Sequence, residues 1–210
     1  MRNLSDCRLY GILDLAYTDA SNAVHVIESM IEGGVDVIQL RGKQQSIDRL
    51  IDLAGQLHEI TLAASVPFIV NDFAEIARRV PVEGVHVGQD DDLIAHVRKK
   101  AGREIIIGKS THGLEQAAAA RNEGADYIGF GPIFATPTKP DYTPIGVTGI
   151  KRVHHEVALP IFCIGGIKLE NLAQVIAAGA ERVVIVSGLL QANDIAKYAR
   201  ACRKLLAPGS

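Results

Sequence analysis

Short apolar runs closed by turn residues divide the chain into a regular series. Eight of them, at 9–14, 35–41, 68–72, 84–88, 105–110, 127–133, 161–166 and 183–188, have the length and aliphatic content of buried strands. Between them apolar residues return at helical spacing. Val24, Ile27, Met30 and Ile31 share one face, Leu50, Leu53, Ala54 and Leu57 a second, and Leu172, Val175, Ile176 and Ala180 a third. A last helix is expected over 194–206, so that strand and helix alternate eight times. Gly34-Val35-Asp36, Gly124-Ala125-Asp126 and Gly179-Ala180-Glu181 repeat one signature between a helix and the next strand. Glycine there predicts a left-handed residue that ends the helix and turns the chain into the strand.

Eight such units in 210 residues, with no linker or low-complexity stretch, predict a single α/β domain: a (β/α)8 TIM barrel spanning 1–210. The competing architecture is a doubly wound open sheet. It usually has fewer strands at this length and a glycine-rich loop after the first, whereas here the first strand runs out as Ile12-Leu13-Asp14-Leu15. Barrel active sites lie at the C-terminal ends of the strands. Polar residues gather at those ends: Asp14, Gln39 and Arg41, Asn71 and Asp72, Gln89 to Asp91, Ser110 to His112, Thr136 to Lys139, Gly165-Gly166 and Ser187-Gly188.

Composition narrows the classes of function. Twenty-two Lys and Arg against 24 Asp and Glu give a net charge of -2, without a basic stripe, which argues against nucleic acid as partner. An anionic ligand would have to be held by local cations, backbone amides or a metal. Cys7, Cys163 and Cys202 are odd in number and widely spaced, which argues against disulfides and a zinc cage. No apolar stretch has membrane-spanning length and the first residues lack a signal-peptide run, so a cytoplasmic protein is expected. Oligomeric state is left open, a homo-oligomer included.

Several constellations carry chemistry. In the second strand Gln39 and Arg41 alternate with Ile38 and Leu40, which puts the polar pair on the barrel face, with Lys43 just beyond. A guanidinium fork beside an ammonium suits a polyphosphate. Asp72 and Asp91 end neighbouring strands and, with ligand phosphate and water, make a plausible Mg²⁺ site, although Asp72 also fits a helix N-cap. Asp90 and Asp92 are read as solvent or capping residues, and only a family resemblance sets Asp91 apart from them. The proline-rich segment after the sixth strand offers Thr136, Thr138 and Lys139. Gly165-Gly166 and Ser187-Gly188 stand where barrels often hold a phosphate. His25, His58, His96, His154 and His155 are expected on helix surfaces, His86 as a structural strand residue, and His112 as the candidate for proton transfer. Cys163 reads as a small core residue.

These segments together resemble the thiamine-phosphate synthase family. Gln39-Leu40-Arg41-Gly42-Lys43, Val70-Asn71-Asp72, Gly84-Val85-His86-Val87-Gly88-Gln89-Asp90-Asp91, Gly108-Lys109-Ser110-Thr111-His112, the segment from Tyr127 to Phe134, Thr136-Pro137-Thr138-Lys139 and Ile164-Gly165-Gly166-Ile167 occur in the family's order. The resemblance implies a transferase of thiamine biosynthesis acting on small phosphorylated substrates: a pyrimidine pyrophosphate and a thiazole phosphate. By it, Gln39, Leu40, Arg41, Gly42, Lys43, Asn71, Ser110 and Lys139 would hold the pyrimidine pyrophosphate. Arg41, Lys43, Ser110 and Lys139 would be the catalytic groups, and Asp72 and Asp91 would bind Mg²⁺. Thr136, Pro137, Thr138, Gly166, Val186 and Ser187 would hold the thiazole phosphate. The chain departs from the family at Gly42, usually acidic, and at Leu13, usually Thr. Two rivals are a thiazole tautomerase dependent on His112 and a phosphate-ligand sensor without turnover. Retention of Arg41, Lys43, Asn71, Asp72, Asp91 and Lys139 favours the synthase over the tautomerase.

Overall fold

A computed structural model describes residues 3–102, 104–136 and 142–207. Eight parallel strands close into a barrel in sequence order: β1 (Leu9–Asp14), β2 (Val37–Arg41), β3 (Phe68–Asn71), β4 (Gly84–Val87), β5 (Ile106–Thr111), β6 (Tyr127–Phe130), β7 (Ile161–Cys163) and β8 (Val183–Ile185), with β8 pairing β1. The strands fall inside the predicted segments or within one residue of them, and the later ones end early. The chain leaves the ladder at Cys163 and Ile185, so the glycine and serine positions beyond them lie in loops or helix starts at the barrel mouth.

Helices α1 (Ala23–Glu32), α2 (Ile47–Ala63), α3 (Ile94–Ala101), α4 (Leu114–Asn122), α5 (Ile150–Glu156), α6 (Leu169–Ala177), α7 (Ser187–Leu190) and α8 (Ile195–Leu205) surround the barrel. The expected eightfold alternation fails once. After β3 there is only a 3₁₀ turn, Ile76–Arg78, and its Ile76 and Ala77 cover the barrel where a helix was expected. The segment from Asp72 to Val82 is too short to carry a full helix out and back to β4.

Alternation along the strands divides the interior in two. Outward side chains such as Leu13, Ile38, Leu40, Val70, Val85, Ile107 and Ile128 join the helices in one large apolar cluster. Inward ones form a second, smaller cluster of Tyr10, Ile12, Val37, Ile69, Tyr127, Phe162 and Val184. Leu4, in a 3₁₀ turn at Leu4–Asp6, and Cys7 close that inner cluster from the N-terminal side. Phe162 meets Tyr10 and Tyr127 edge-on, with centroids 5.3 and 5.6 Å apart, and the three rings pave the floor beneath the mouth.

The glycine signature has the predicted geometry: Gly34, Gly124 and Gly179 have φ of 85°, 90° and 101°. The structure adds why an acid follows. Asp36, just before β2, accepts the N–H groups of Arg8 and Leu9 at the start of β1, at 2.8 and 3.0 Å. Asp126, before β6, likewise accepts from Ile107 at 2.7 Å, and Glu83, before β4, accepts from Phe68 at 2.8 Å. Each carboxylate is also held from a helix: Asp36 by Arg203 at 2.6 Å, Asp126 by Arg98 at 3.0 Å and Glu83 by His58 at 3.3 Å. His58, expected on the surface, is therefore buried as part of this set, and His154 is half-buried rather than exposed. Glu181 does not follow the pattern; it is exposed and pairs with Arg182.

Asp36→Ala strands two backbone N–H groups and Arg203 at the closure of β1 on β2. A loss of ~3 kcal/mol is expected in urea unfolding, with an unchanged m value.

Candidate functional site

The C-terminal mouth holds a pocket to which all eight strands or the loops just beyond them contribute. β1 supplies Ile12 and Asp14, β2 Gln39 and Arg41, β3 Asn71, β4 His86 and β5 Ser110. The loop after β6 adds Pro132 and Thr136, and the segments after β7 and β8 add Gly166 and Ser187. A second depression opens beside it along Leu15 to Tyr17 and Gly42 to Gln45, and Asp14 and Arg41 are common to both.

Arg41 is fixed by an ion pair. Its Nη1 lies 2.5 Å from Oδ2 of Asp14, a carboxylate only 1% exposed whose other oxygen accepts the N–H of Ala16. Asp14 appeared in the sequence only as one polar strand end; Arg41, its register partner on the neighbouring strand β2, is what gives it a role. Lys43 lies 3.3 Å from Oδ2 of Asp72. Asp72 is not a helix cap. It has φ 63°, a region that Asp tolerates better than most residues, and its carboxyl meets both Lys43 and Asp91. Burial first, then the hydrogen bond and charge of Asp91, push the Asp72 carboxyl up to about 6 against the opposing pull of Lys43. Asp91 accepts the N–H of Gly88 at 2.6 Å, and a Cβ on Gly88 would fall 2.8 Å from that same carboxylate oxygen. Thus two acids from consecutive strand ends meet at the rim. Among the described residues no group of three or more His, Cys, Asp or Glu could hold a metal, so any ion at this pair would draw its remaining ligands from water and substrate. Asp92 pairs with Lys100 instead, and Asp90 is exposed.

Across the mouth, Gly165 and Gly166 have φ of 98° and 64°. Their missing side chains make room for the neighbouring loop. A Cβ on Gly165 would lie 2.4 Å from Cα of Pro132, and one on Gly166 would lie 2.6 Å from the carbonyl of Ala135. The amide of Phe134 donates to the carbonyl of Gly165, and Asn171 Nδ2 donates to that of Gly166. The glycines fasten the loop after β6 to the start of α6.

The predicted site residues separate accordingly. Gln39, Arg41, Asn71, Ser110, Thr136, Gly166, Val186 and Ser187 line the pocket. Gly42 and Lys43 border the adjoining depression. Leu40 points outward into the core at 2% exposure, so only its backbone is available to a ligand. Pro137, Thr138 and Lys139 lie outside the described residues. His112 lines the pocket; its Nδ1 donates to the carbonyl of Gly131, its Nε2 is buried without a hydrogen-bond partner among the described residues, and its ring lies 4.5 Å from Tyr142. His86, read as structural, also lines the pocket and bonds Ser110 at 3.0 Å. Its inward position on β4 was the signal for it. Cys163 is buried in the outer core, which pushes its thiol up to about 12.

The family model for thiamine monophosphate synthase matches residues 9–189. The chain belongs to this family. Among members of the thiamine monophosphate synthase family, the thiamine-phosphate synthase of Chloroflexus aurantiacus is 42% identical over 205 residues, covering 97% of this chain and 94% of that protein. The thiamine-phosphate synthase of Shouchella clausii is 43% identical over 195 residues, covering 92% and 93%. The solved thiamine phosphate pyrophosphorylase from Pyrococcus furiosus superimposes with a TM-score of 0.89 at 30% identity, over 97% of this chain and 98% of that one. Family membership thus extends over the strands that build the mouth.

Gly165→Ala forces an L side chain into a left-handed φ and against Pro132. An expected cost of ~3 kcal/mol would appear as a lower Tm in calorimetry.

Proposed function

We propose that this protein is a thiamine-phosphate synthase, a transferase that joins a hydroxymethylpyrimidine pyrophosphate to a thiazole phosphate. The observation that carries the reading is the mouth itself. Fixed cations and a carboxylate pair stand at the ends of β2 to β4, and a glycine-built shelf faces them from β7 and β8. Family membership supports it, since the curated relatives carry that name at similar chain length.

In this reading the pyrophosphate lies along Arg41 and Lys43, with Lys139 as a third cation from the loop beyond Thr136. Arg41 keeps its fork geometry through Asp14, so it meets the anion without first being ordered. Gln39, Asn71 and Ser110 line the space inward of the rim and orient the pyrimidine. Leu40 and Gly42 contribute backbone only. Thr136, Gly166, Val186 and Ser187 hold the thiazole phosphate on the opposite side, and the family resemblance adds Pro137 and Thr138 to them. Gly165 and Gly166 offer N–H groups that find no acceptor among the described residues.

Asp72 and Asp91 fit Mg²⁺. Two hard oxygen donors sit together at the rim, and burial together with the neighbouring Asp91 raises the carboxyl pKa of Asp72. When bound, the ion would neutralise charge on the departing pyrophosphate. The C–O bond to the pyrimidine methylene breaks with its electron pair leaving on pyrophosphate, and the thiazole nitrogen lone pair forms the new C–N bond. Arg41 and Lys43 steady the leaving oxygens, and the narrow inner pocket holds both rings in line and keeps water from the electron-poor methylene. Among the described residues no helix is long and apolar enough to cross a membrane, which fits an enzyme of small phosphorylated metabolites in the cytoplasm.

Incubation with both substrates and Mg²⁺ should give thiamine phosphate and pyrophosphate by mass spectrometry. Chelation should abolish the product and added Mg²⁺ restore it. Full activity in thoroughly metal-depleted protein contradicts the assignment of Asp72 and Asp91. Asp91→Ala should cost at least about 100-fold in turnover, as loss of a strong electrostatic stabiliser does. Lys43→Ala should raise KM for the pyrimidine pyrophosphate while leaving thiazole phosphate binding, read by calorimetry, within about twofold. Equal impairment of both ligands would rule out separate anion positions.

A further inference from the structure

Beneath the mouth a single file of hydrogen bonds crosses the barrel. Gln39 Nε2 donates to the Tyr10 hydroxyl at 2.8 Å, which lies 3.0 Å from the Tyr127 hydroxyl. Tyr127 in turn lies 3.0 Å from His86 Nδ1, and His86 Nε2 lies 3.0 Å from Ser110 Oγ. The chain thus links β2, β1, β6, β4 and β5. Both phenols are fully buried, and burial raises both pKa values, so they stay protonated. The arrangement depends on Gly108, where a Cβ would fall 2.1 Å from the Tyr127 ring and 2.5 Å from His86 Nδ1.

Counting protons fixes the direction of this chain. The Tyr10 oxygen already accepts from Gln39, and its only other partner among the described residues is Tyr127. A buried hydroxyl whose proton lacks an acceptor is costly, so Tyr10 must donate to Tyr127. Tyr127, now an acceptor from Tyr10, has His86 Nδ1 as the acceptor for its own proton. Neutral His86 therefore carries its proton on Nε2 and donates to Ser110 Oγ. Ser110 is left with one proton that no group among the described residues takes up. The Gln89 amide, which donates to the backbone carbonyl of Ser110, holds that strand end in place.

We infer that Tyr10, Tyr127 and His86 are positioning residues that fix Ser110 Oγ as a hydrogen-bond donor into the pocket. The ligand atom facing Ser110 must then carry a lone pair, and a group that can only donate is rejected there. The consequence for turnover rests on the synthase reading; the direction of the chain does not.

Two measurements test it. In ligand-free protein at about pH 8, where an ordinary imidazole is neutral, ¹⁵N spectra should show His86 as the Nε2–H tautomer, its signal assigned by loss in His86→Gln. A predominant Nδ1–H tautomer would overturn the inference without any assay of activity. Tyr127→Phe removes the donor to Nδ1, so the tautomer preference should weaken and kcat should fall about tenfold, with KM for the thiazole phosphate little changed. If Tyr127 acts through Ser110, the double variant with Ser110→Ala should be no slower than Ser110→Ala alone. Fully multiplicative losses would instead show independent, merely structural effects and defeat the proposal. Should the wild-type protein make no thiamine phosphate, the synthase reading falls, and the tautomer measurement alone still decides this inference.

Discussion

Closing eight parallel strands into a ring forces alternate side chains of every strand onto a common axis, where there is room for only a few layers. That crowding governs the rest of the molecule. In the lower layer the space is filled by Tyr10, Tyr127 and Phe162, with Gly108 left small so that the rings fit. In the upper layer the inward positions are polar, because they open to the mouth: Asp14, Gln39, Asn71, His86 and Ser110. The same alternation sends Leu13, Leu40 and Cys163 outward against the helices. At the opposite end Asp36, Glu83 and Asp126 tie the starts of neighbouring strands together, so the catalytic face is left free of that duty.

A barrel of nearly balanced charge handles anions by local arrangement rather than by its overall field. Asp14 orients Arg41, Asp72 engages Lys43, and Asp91 adds a second acid beside Asp72. Arg41 and Lys43 thus each have a carboxylate beside them. This lowers the net positive potential but fixes the donor geometry, a trade that suits recognition of a polyphosphate by direction as much as by charge.

The two departures from the family pattern acquire a physical meaning in the fold. Leu13 faces the helices and is fully buried, so the change from Thr affects packing and leaves the pocket wall untouched. Gly42 is enclosed: a Cβ there would lie 2.8 Å from Leu50 and 3.0 Å from Leu15. Those leucines occupy the room a longer side chain would need. The glycine therefore lets the segment pack directly against them.

What the sequence determined by itself is everything that depends on local period and chain order. The strands, most of the helices, the barrel class and the left-handed glycines at 34, 124 and 179 follow from alternation, spacing and the steric freedom of one residue type. So does the gathering of polar strand ends, and with it most of the pocket. Only the tertiary structure decided which of these residues meet. The Asp14–Arg41 pair, the contact between Asp72 and Asp91, the burial of His58 on Glu83 and the file from Gln39 to Ser110 all join residues on different strands or on a helix and a distant strand. Their encounters are set by strand register and closure around the axis, to which no local pattern of residues gives access. For the same reason His86 reads along the chain as one more strand residue, and only the ring of eight strands turns it toward Ser110.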